Sequence, residues 1–240
     1  MLKHLVQSAA RSFGYEIRRT ASPAVGANWS VDLPILLRTQ SAPVVFDIGA
    51  NVGQTSTRLA AAFPAPARIF AFEPAAATYA ELARAVAPFP HVRSFQQAVG
   101  DRPARLRLHH GRNSQLSRFV PVSSVTAESS EEVEVTTLDA VAANHTLERV
   151  DLLKSDTEGH DGAVLRGAIG LLRRSAIRAV LAEATFESAG ELHTKFSELL
   201  ALLEPHGFCL HQIYDCEHWG IRLKFCNVLF LHEASFPGVP

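Results

Sequence analysis

Two stretches of this 240-residue chain combine residue types and spacings that could do chemistry. The first, VVFDIGANVGQT at residues 44–55, ends an apolar run on Asp47 and follows it with Gly49, Asn51, Gly53 and Gln54. The second, LLKSDTEGHD at residues 152–161, carries Lys154, Asp156, Glu158 and His160 at every second position. Glycines between an apolar run and a helix suit a tight turn that lets another molecule approach the backbone. The spacing is G-x-x-x-G, so neither the pyrophosphate fingerprint G-x-G-x-x-G nor a phosphate loop is present.

The turn opens a helix N-terminus, which favours a carboxylate. Asp47 adds a negative charge beside it, which suits an ammonium. A ligand with both groups is an amino acid. Glu73 closes the next apolar run, FAFEP, 73 − 49 = 24 positions after Gly49. An acid at that point of such a fold accepts hydrogen bonds from ribose hydroxyls. An amino acid joined to a nucleoside describes S-adenosylmethionine, with Ala98 and Val99 after the third strand as flanks for its adenine.

Methyl transfer to an alcohol is an in-line displacement whose leaving group is a neutral thioether. The nucleophile is the difficulty, because the alcohol must lose its proton as the bond forms. A positioned base contributes roughly 10²–10⁴-fold. His160 is the first choice, since imidazole titrates nearest neutrality. Glu158 is the second, and Asp156 a third whose other role is to hold the methionine amine. Lys154 reads as the salt-bridge partner that keeps Asp156 charged. The same carboxylates could instead hold Mg²⁺ and orient a diol, though no ligand spacing demands it.

These residues need a frame. Apolar strand patterns at 43–49, 67–73, 91–99, 150–156 and 177–186 alternate with helical patterns at 53–63, 75–87, 137–144, 161–172 and 191–207. The alternation predicts right-handed crossovers and a mostly parallel sheet. Strands at 208–215 and 223–232 have no helix between them and must pair antiparallel. The expectation is an α/β doubly wound sheet of seven strands with a terminal antiparallel hairpin. Residues 101–136 break the rhythm as an insertion of strands and polar loop. Within it, GRNSQLSR offers Asn113, Ser114, Gln115 and Ser117 to hydroxyls and Arg112 and Arg118 to an anion. Glu183 is a further rim candidate. Residues 1–40 read as an N-terminal helix and an irregular lead-in, and 41–240 as the catalytic domain.

Net charge is −1 and 47% of residues are hydrophobic, which argues for a sizeable core and against nucleic acid as the main partner. Three cysteines without a C-x-x-C argue against a disulfide framework and fit a reducing, cytoplasmic compartment. Leu2, Leu5, Val6, Ala9, Phe13 and Ile17 share a helical face, which suits packing on the domain, a second copy in a homo-oligomer, or weak contact with a membrane surface.

FDIGANVGQ, FEP, QAVGD, TLDAV, VDLLKSDTEGHDGAVLRGA and the closing NVLF resemble the FkbM family of S-adenosylmethionine-dependent methyltransferases over roughly residues 42–232. The resemblance implies a Rossmann-like class I methyltransferase fold, and O-methyl transfer to a small molecule or glycan, with a sugar hydroxyl favoured. The chain departs from the family's usual residues at Ser155 and Gly162, a change expected to reshape the acceptor pocket. Two rivals stand beside this reading. A nicotinamide-dependent oxidoreductase would need the glycine fingerprint that is missing, and a degenerate methyltransferase acting as a scaffold would need the motifs to be idle.

Overall fold

A computed structural model describes residues 26, 28–37, 42–109, 118–119, 130–186 and 193–236. The predicted first helix and most of GRNSQLSR lie outside them. The main sheet uses β1 (Val44–Ile48), β2 (Arg68–Phe72), β3 (Val92–Phe95), β8 (Leu152–Ser155), β9 (Ala179–Thr185), β10 (Phe208–Trp219) and β11 (Arg222–His232). Their order across it is β10-β11-β9-β8-β1-β2-β3. The β1, β2, β3, β8 and β9 pairings are parallel, and β11 runs antiparallel to both β9 and β10. This is the doubly wound, mostly parallel seven-stranded sheet with a terminal antiparallel hairpin that the alternation predicted.

Every residue of β1 and β8 is buried, as a parallel strand covered on both faces requires. One face packs Phe46, Leu153, Val180 and Phe230 against α5 (Asp161–Arg166), α6 (Ile169–Arg173) and α7 (Phe196–Leu203). The other packs Val45, Leu152, Leu181 and Leu229 against α1 (Trp29–Leu36) and α2 (Gln54–Ala62). The chain leaves β1 toward β2 and β3 on one side and toward β8 and β9 on the other. The carboxyl ends of β1 and β8 are therefore a switch point, where open sheets leave a crevice.

Four local expectations change. Helix α1 forms inside the lead-in read as irregular, although it contains Pro34. Asn28 caps it by accepting from Ser30 N at 2.9 Å, and buried Asp32 accepts from Tyr214 Oη at 3.0 Å. Tertiary packing thus outweighs the proline. The third strand stops at Phe95. Residues Ala98–Val99 (β4) leave for a second sheet, because β3 is the edge of the first and β7 (Ser130–Thr136) offers them a partner. That second sheet has the order β4-β7-β5-β6, with β5 at Ala104–His109 and β6 at Arg118–Phe119. It gives the 101–136 insertion its strands.

The predicted helix at 161–172 is broken between α5 and α6. Gly167 presses on the Gly100 carbonyl, and Asp139 restarts the helix by accepting from Gly170 N and Leu171 N at 2.8 and 2.9 Å. Finally, the helix predicted from 191 begins only at Phe196. His193 and Thr194 belong to the loop before α7. Among the described residues no helix is long and apolar enough to cross a membrane.

Candidate active site

The turn after β1 is held from below. Gly49 has φ 74° and abuts the Asp156 carbonyl, so a side chain there would meet backbone as well as strain. Gly49 N and Ala50 N both donate to Phe72 O, at 3.1 and 2.9 Å. Asn51, at φ 50°, donates its N–H to Glu73 Oε2 at 3.0 Å. Gly53 precedes α2, whose start has no side-chain cap. The first helical residues, Gln54 and Thr55, line a cleft with their end of the helix open to it.

Beneath the turn, Asp47 is fully buried. It accepts from Ser56 Oγ at 2.6 Å and pairs with Lys154 Nζ at 3.3 Å. Lys154 also reaches Asp156 Oδ2 at 3.4 Å and the Gly49 carbonyl at 3.4 Å. Burial alone would lower its pKa, but the two carboxylates overcome that and hold it above the ordinary lysine value. Asp47, Lys154 and Gly53 therefore support the cleft without lining it. The charge expected of Asp47 toward an ammonium is already balanced by Lys154.

The cleft encloses about 840 Å³ of empty space, counting the part that is open solvent. Gly49, Asn51, Gln54, Glu73, Ala98, Val99, Asp156, Glu158 and His160 all line it, as do Phe72, Gln97, Leu108 and Thr157, which sequence reasoning missed. Leu108 arrives on the second sheet, so no local spacing could have placed it there. Glu73 is nearly buried and accepts from Ala75 N and Asn51 N, each at 3.0 Å. Burial raises its pKa against the pull of those two bonds. The buried Asn51 Oδ1 has no hydrogen-bond partner in the protein. An acceptor atom left waiting in the wall fits a ligand that brings a donor, such as an ammonium or a hydroxyl.

On the opposite wall the chain does not stay extended past Asp156. Glu158 takes φ 50° and Gly159 φ 91°, which turns the backbone and starts α5 at Asp161, with His160 at the cap position. Strand alternation stops at Asp156, and the turn delivers Glu158 and His160 to the cleft instead. Burial first, then the charges of Asp156 and Glu183, push the Glu158 carboxyl up to about 7.

Asp161 is a buried node: its Oδ1 accepts from Ser155 Oγ, Thr157 N and Thr157 Oγ1, and its Oδ2 from Thr194 Oγ1 at 3.0 Å. Ser155 is thus spent on Asp161, and Gly162 makes room for Glu198, which pairs with Arg166 at 3.2 Å. Neither departure from the family's residues lines the cleft. Glu183 pairs with His193 at 2.6 Å, a partnership the sequence did not signal. Among the described residues no three His, Cys, Asp or Glu side chains converge as a metal site needs.

A seven-stranded sheet of this order with a cleft at its switch point is the class I methyltransferase fold. A family model for the methyltransferase FkbM domain matches residues 47–210, and the chain belongs to that family. The family uses S-adenosylmethionine, which is the cofactor of this chain. A comparison with curated proteins finds no match. Among solved structures, precorrin-6y C5,15-methyltransferase from Geobacter metallireducens is 13% identical, with 84% of this chain and 86% of that one covered and a TM-score of 0.46. Magnesium protoporphyrin IX methyltransferase from Synechocystis PCC 6803, with bound SAM, is 11% identical over 95% and 79% at 0.48. The Methanococcus jannaschii fibrillarin is 15% identical over 86% and 76% at 0.46. At these identities and scores the likenesses add nothing to the family match.

Proposed function

We propose that the enzyme transfers a methyl group to a hydroxyl of a small molecule or glycan, a sugar hydroxyl being favoured. One observation carries this reading: Glu158, on a left-handed turn in the cleft wall, is a carboxyl held near neutrality. An alcohol needs a base as its oxygen attacks, and a base titrating near the working pH is the efficient one. Sequence reasoning ranked His160 ahead of Glu158. We take Glu158 as the base on the burial and like charges around it, with His160 beside it in the same wall.

When bound, S-adenosylmethionine supplies an electrophilic methyl and leaves as a neutral thioether. Glu73 would take the ribose hydroxyls with the acceptor capacity left over from its two backbone bonds. Asn51 Oδ1 and Asp156 would receive the methionine amine, the open start of α2 its carboxylate, and Ala98 and Val99 would flank the adenine. Lys154 fixes the turn and Asp156 from below. Glu158 takes the hydroxyl proton as the new C–O bond forms.

The test is a panel of neutral glycosides and small alcohols incubated with a donor carrying a labelled methyl, followed by mass spectrometry of the product. Label on oxygen, lost in Glu158→Gln, supports the reading. Label on nitrogen or carbon overturns it, and a panel with no product in any member leaves the scaffold alternative in its place.

A further inference from the structure

Away from the cleft, the carboxyl lip of the main sheet carries an arm. β9 runs toward that lip, and its last pair with β11 joins Thr185 to Phe225. β10 runs on to Trp219 and β11 starts at Arg222, so these two strands continue as a hairpin past the rest of the sheet. At ~3.3 Å per residue, the stretch from Phe225 back to Ile221 carries the tip about 13 Å beyond that pair. Ile221 is fully exposed and Trp219 is 68% exposed. Gly220, between them, has nothing within 4 Å of where a side chain would begin. The tip is therefore convex, and no described residue stands close enough to wall in a small ligand. Six large apolar side chains are exposed among the described residues, and three of them, Trp219, Ile221 and Phe186 just after β9, stand at this lip. Apolar side chains gathered on a protrusion mark a surface that something else buries.

Two properties of the tip select what that is. The first is area. Trp219 and Ile221 together offer on the order of 300 Å², well short of the roughly 800 Å² per partner that a stable protein interface uses. A bilayer sets no such threshold, because apolar side chains enter the headgroup–acyl boundary by about 5–10 Å without a matching surface. The second is charge. From His218 to Lys224 the chain carries Arg222 and Lys224 and no acid. Lys224 Nζ lies 2.8 Å from the centroid of the Trp219 ring, so a cation accompanies the indole. The acids of the arm sit lower: Glu217 is in register with Phe225, and Asp215 accepts from Asn227 Nδ2 at 3.1 Å. An aromatic and an aliphatic tip backed by cations matches acyl chains beneath anionic headgroups.

We propose that the β10–β11 tip docks the protein on an anionic lipid bilayer, with Trp219 and Ile221 entering the interface and Arg222 and Lys224 meeting lipid phosphates. The cleft lies at the same lip of the sheet, so docking brings it to the membrane side of the molecule. Docking of this kind requires neither Glu158 as base nor any particular acceptor.

The experiment is co-sedimentation of the full chain with vesicles of equal parts phosphatidylglycerol and phosphatidylcholine, and with phosphatidylcholine alone. Tryptophan fluorescence is read alongside, with lipids brominated on their acyl chains. The chain should sediment with the anionic vesicles, and bromine should quench Trp219, since Trp29 is buried. Trp219→Asp combined with Ile221→Asp should lower the partition coefficient roughly tenfold or more. Trp219→Leu should keep binding within about threefold and lose the quenching, which leaves a test if the doubly charged tip misfolds. Arg222→Glu combined with Lys224→Glu should erase the preference for phosphatidylglycerol. A doubly charged tip that sediments like the wild type, or an unquenched Trp219 on bound protein, would overturn docking by this hairpin. So would a wild type that ignores anionic vesicles, which would assign the tip to a soluble partner instead.

Discussion

Around the turn after β1, charges are matched and amides are committed. Asp47 has Ser56 and Lys154, Glu73 has two backbone donors, and Phe72 O receives Gly49 N and Ala50 N. Across the cleft, beyond β8, Glu158 and Gly159 bend through left-handed backbone, and burial with the charges of Asp156 and Glu183 pushes the Glu158 carboxyl up. The first region is built to stay the same. The second stores unfavourable electrostatics in a fixed place. A donor that is always the same molecule is served by rigid complementarity, whereas moving a proton needs a group whose charged and neutral forms lie close in free energy.

This contrast can be broken by experiment. The largest effect should come from Glu158→Gln, with turnover falling by roughly 10²–10⁴-fold. Affinity for S-adenosylhomocysteine, read by calorimetry, should stay within about twofold, since the change touches only the acceptor half. A matching loss of donor affinity would erase the division into halves. Asp161→Ala should cost about 2–4 kcal/mol in urea unfolding, because it strips the acceptor from Ser155, Thr157 and Thr194 together. A loss below about 1 kcal/mol would mean the node does not join the loops of Thr157 and Thr194.

Glu73→Gln should weaken S-adenosylhomocysteine binding by roughly 10–100-fold, because the amide must turn its NH2 toward one of the two backbone donors, Asn51 N or Ala75 N, from which the carboxylate accepted. Unaltered binding would remove Glu73 from the donor half. The smallest effect is in pH dependence, and its sign is opposite for activity and stability. A base must be ionised, so turnover should rise as pH climbs through about 7, the value to which Glu158 is pushed. A carboxyl whose folded pKa is raised favours the fold below its ordinary range and loses that contribution as pH rises through about 7. Glu158→Gln should then resist urea better than the wild type at pH 8, with the advantage gone near pH 4. An equal midpoint difference at both pH values would show that the carboxyl is not strained in the native state.

The donor half was largely legible in the order of residues. A strand, a glycine turn and a helix are adjacent in sequence, and the acid at the tip of the next strand lies one β-α unit on, so Gly49, Asn51, Gln54 and Glu73 come together through local rules. The acceptor half was legible only in part. Glu158 and His160 were visible as a motif, but the left-handed turn that delivers them to the cleft was not. His193 was hidden because the apolar spacing of α7 could be carried back over residues 191–195, although Thr185 and Asp161 hold Thr194 out of the helix.

What the order of amino acids decided by itself is the sequence of strands and helices, the family, the cofactor and the cleft wall built by the turn after β1. Each depends on neighbours within one or two elements. What only the folded chain decided is the protonation of Glu158, the pairing of Glu183 with His193 and the burial of Asp161. Those properties are set by solvent exclusion and by charges brought from strands and loops far apart in the chain. Electrostatic free energy depends on distance through space, and no spacing along the chain records it.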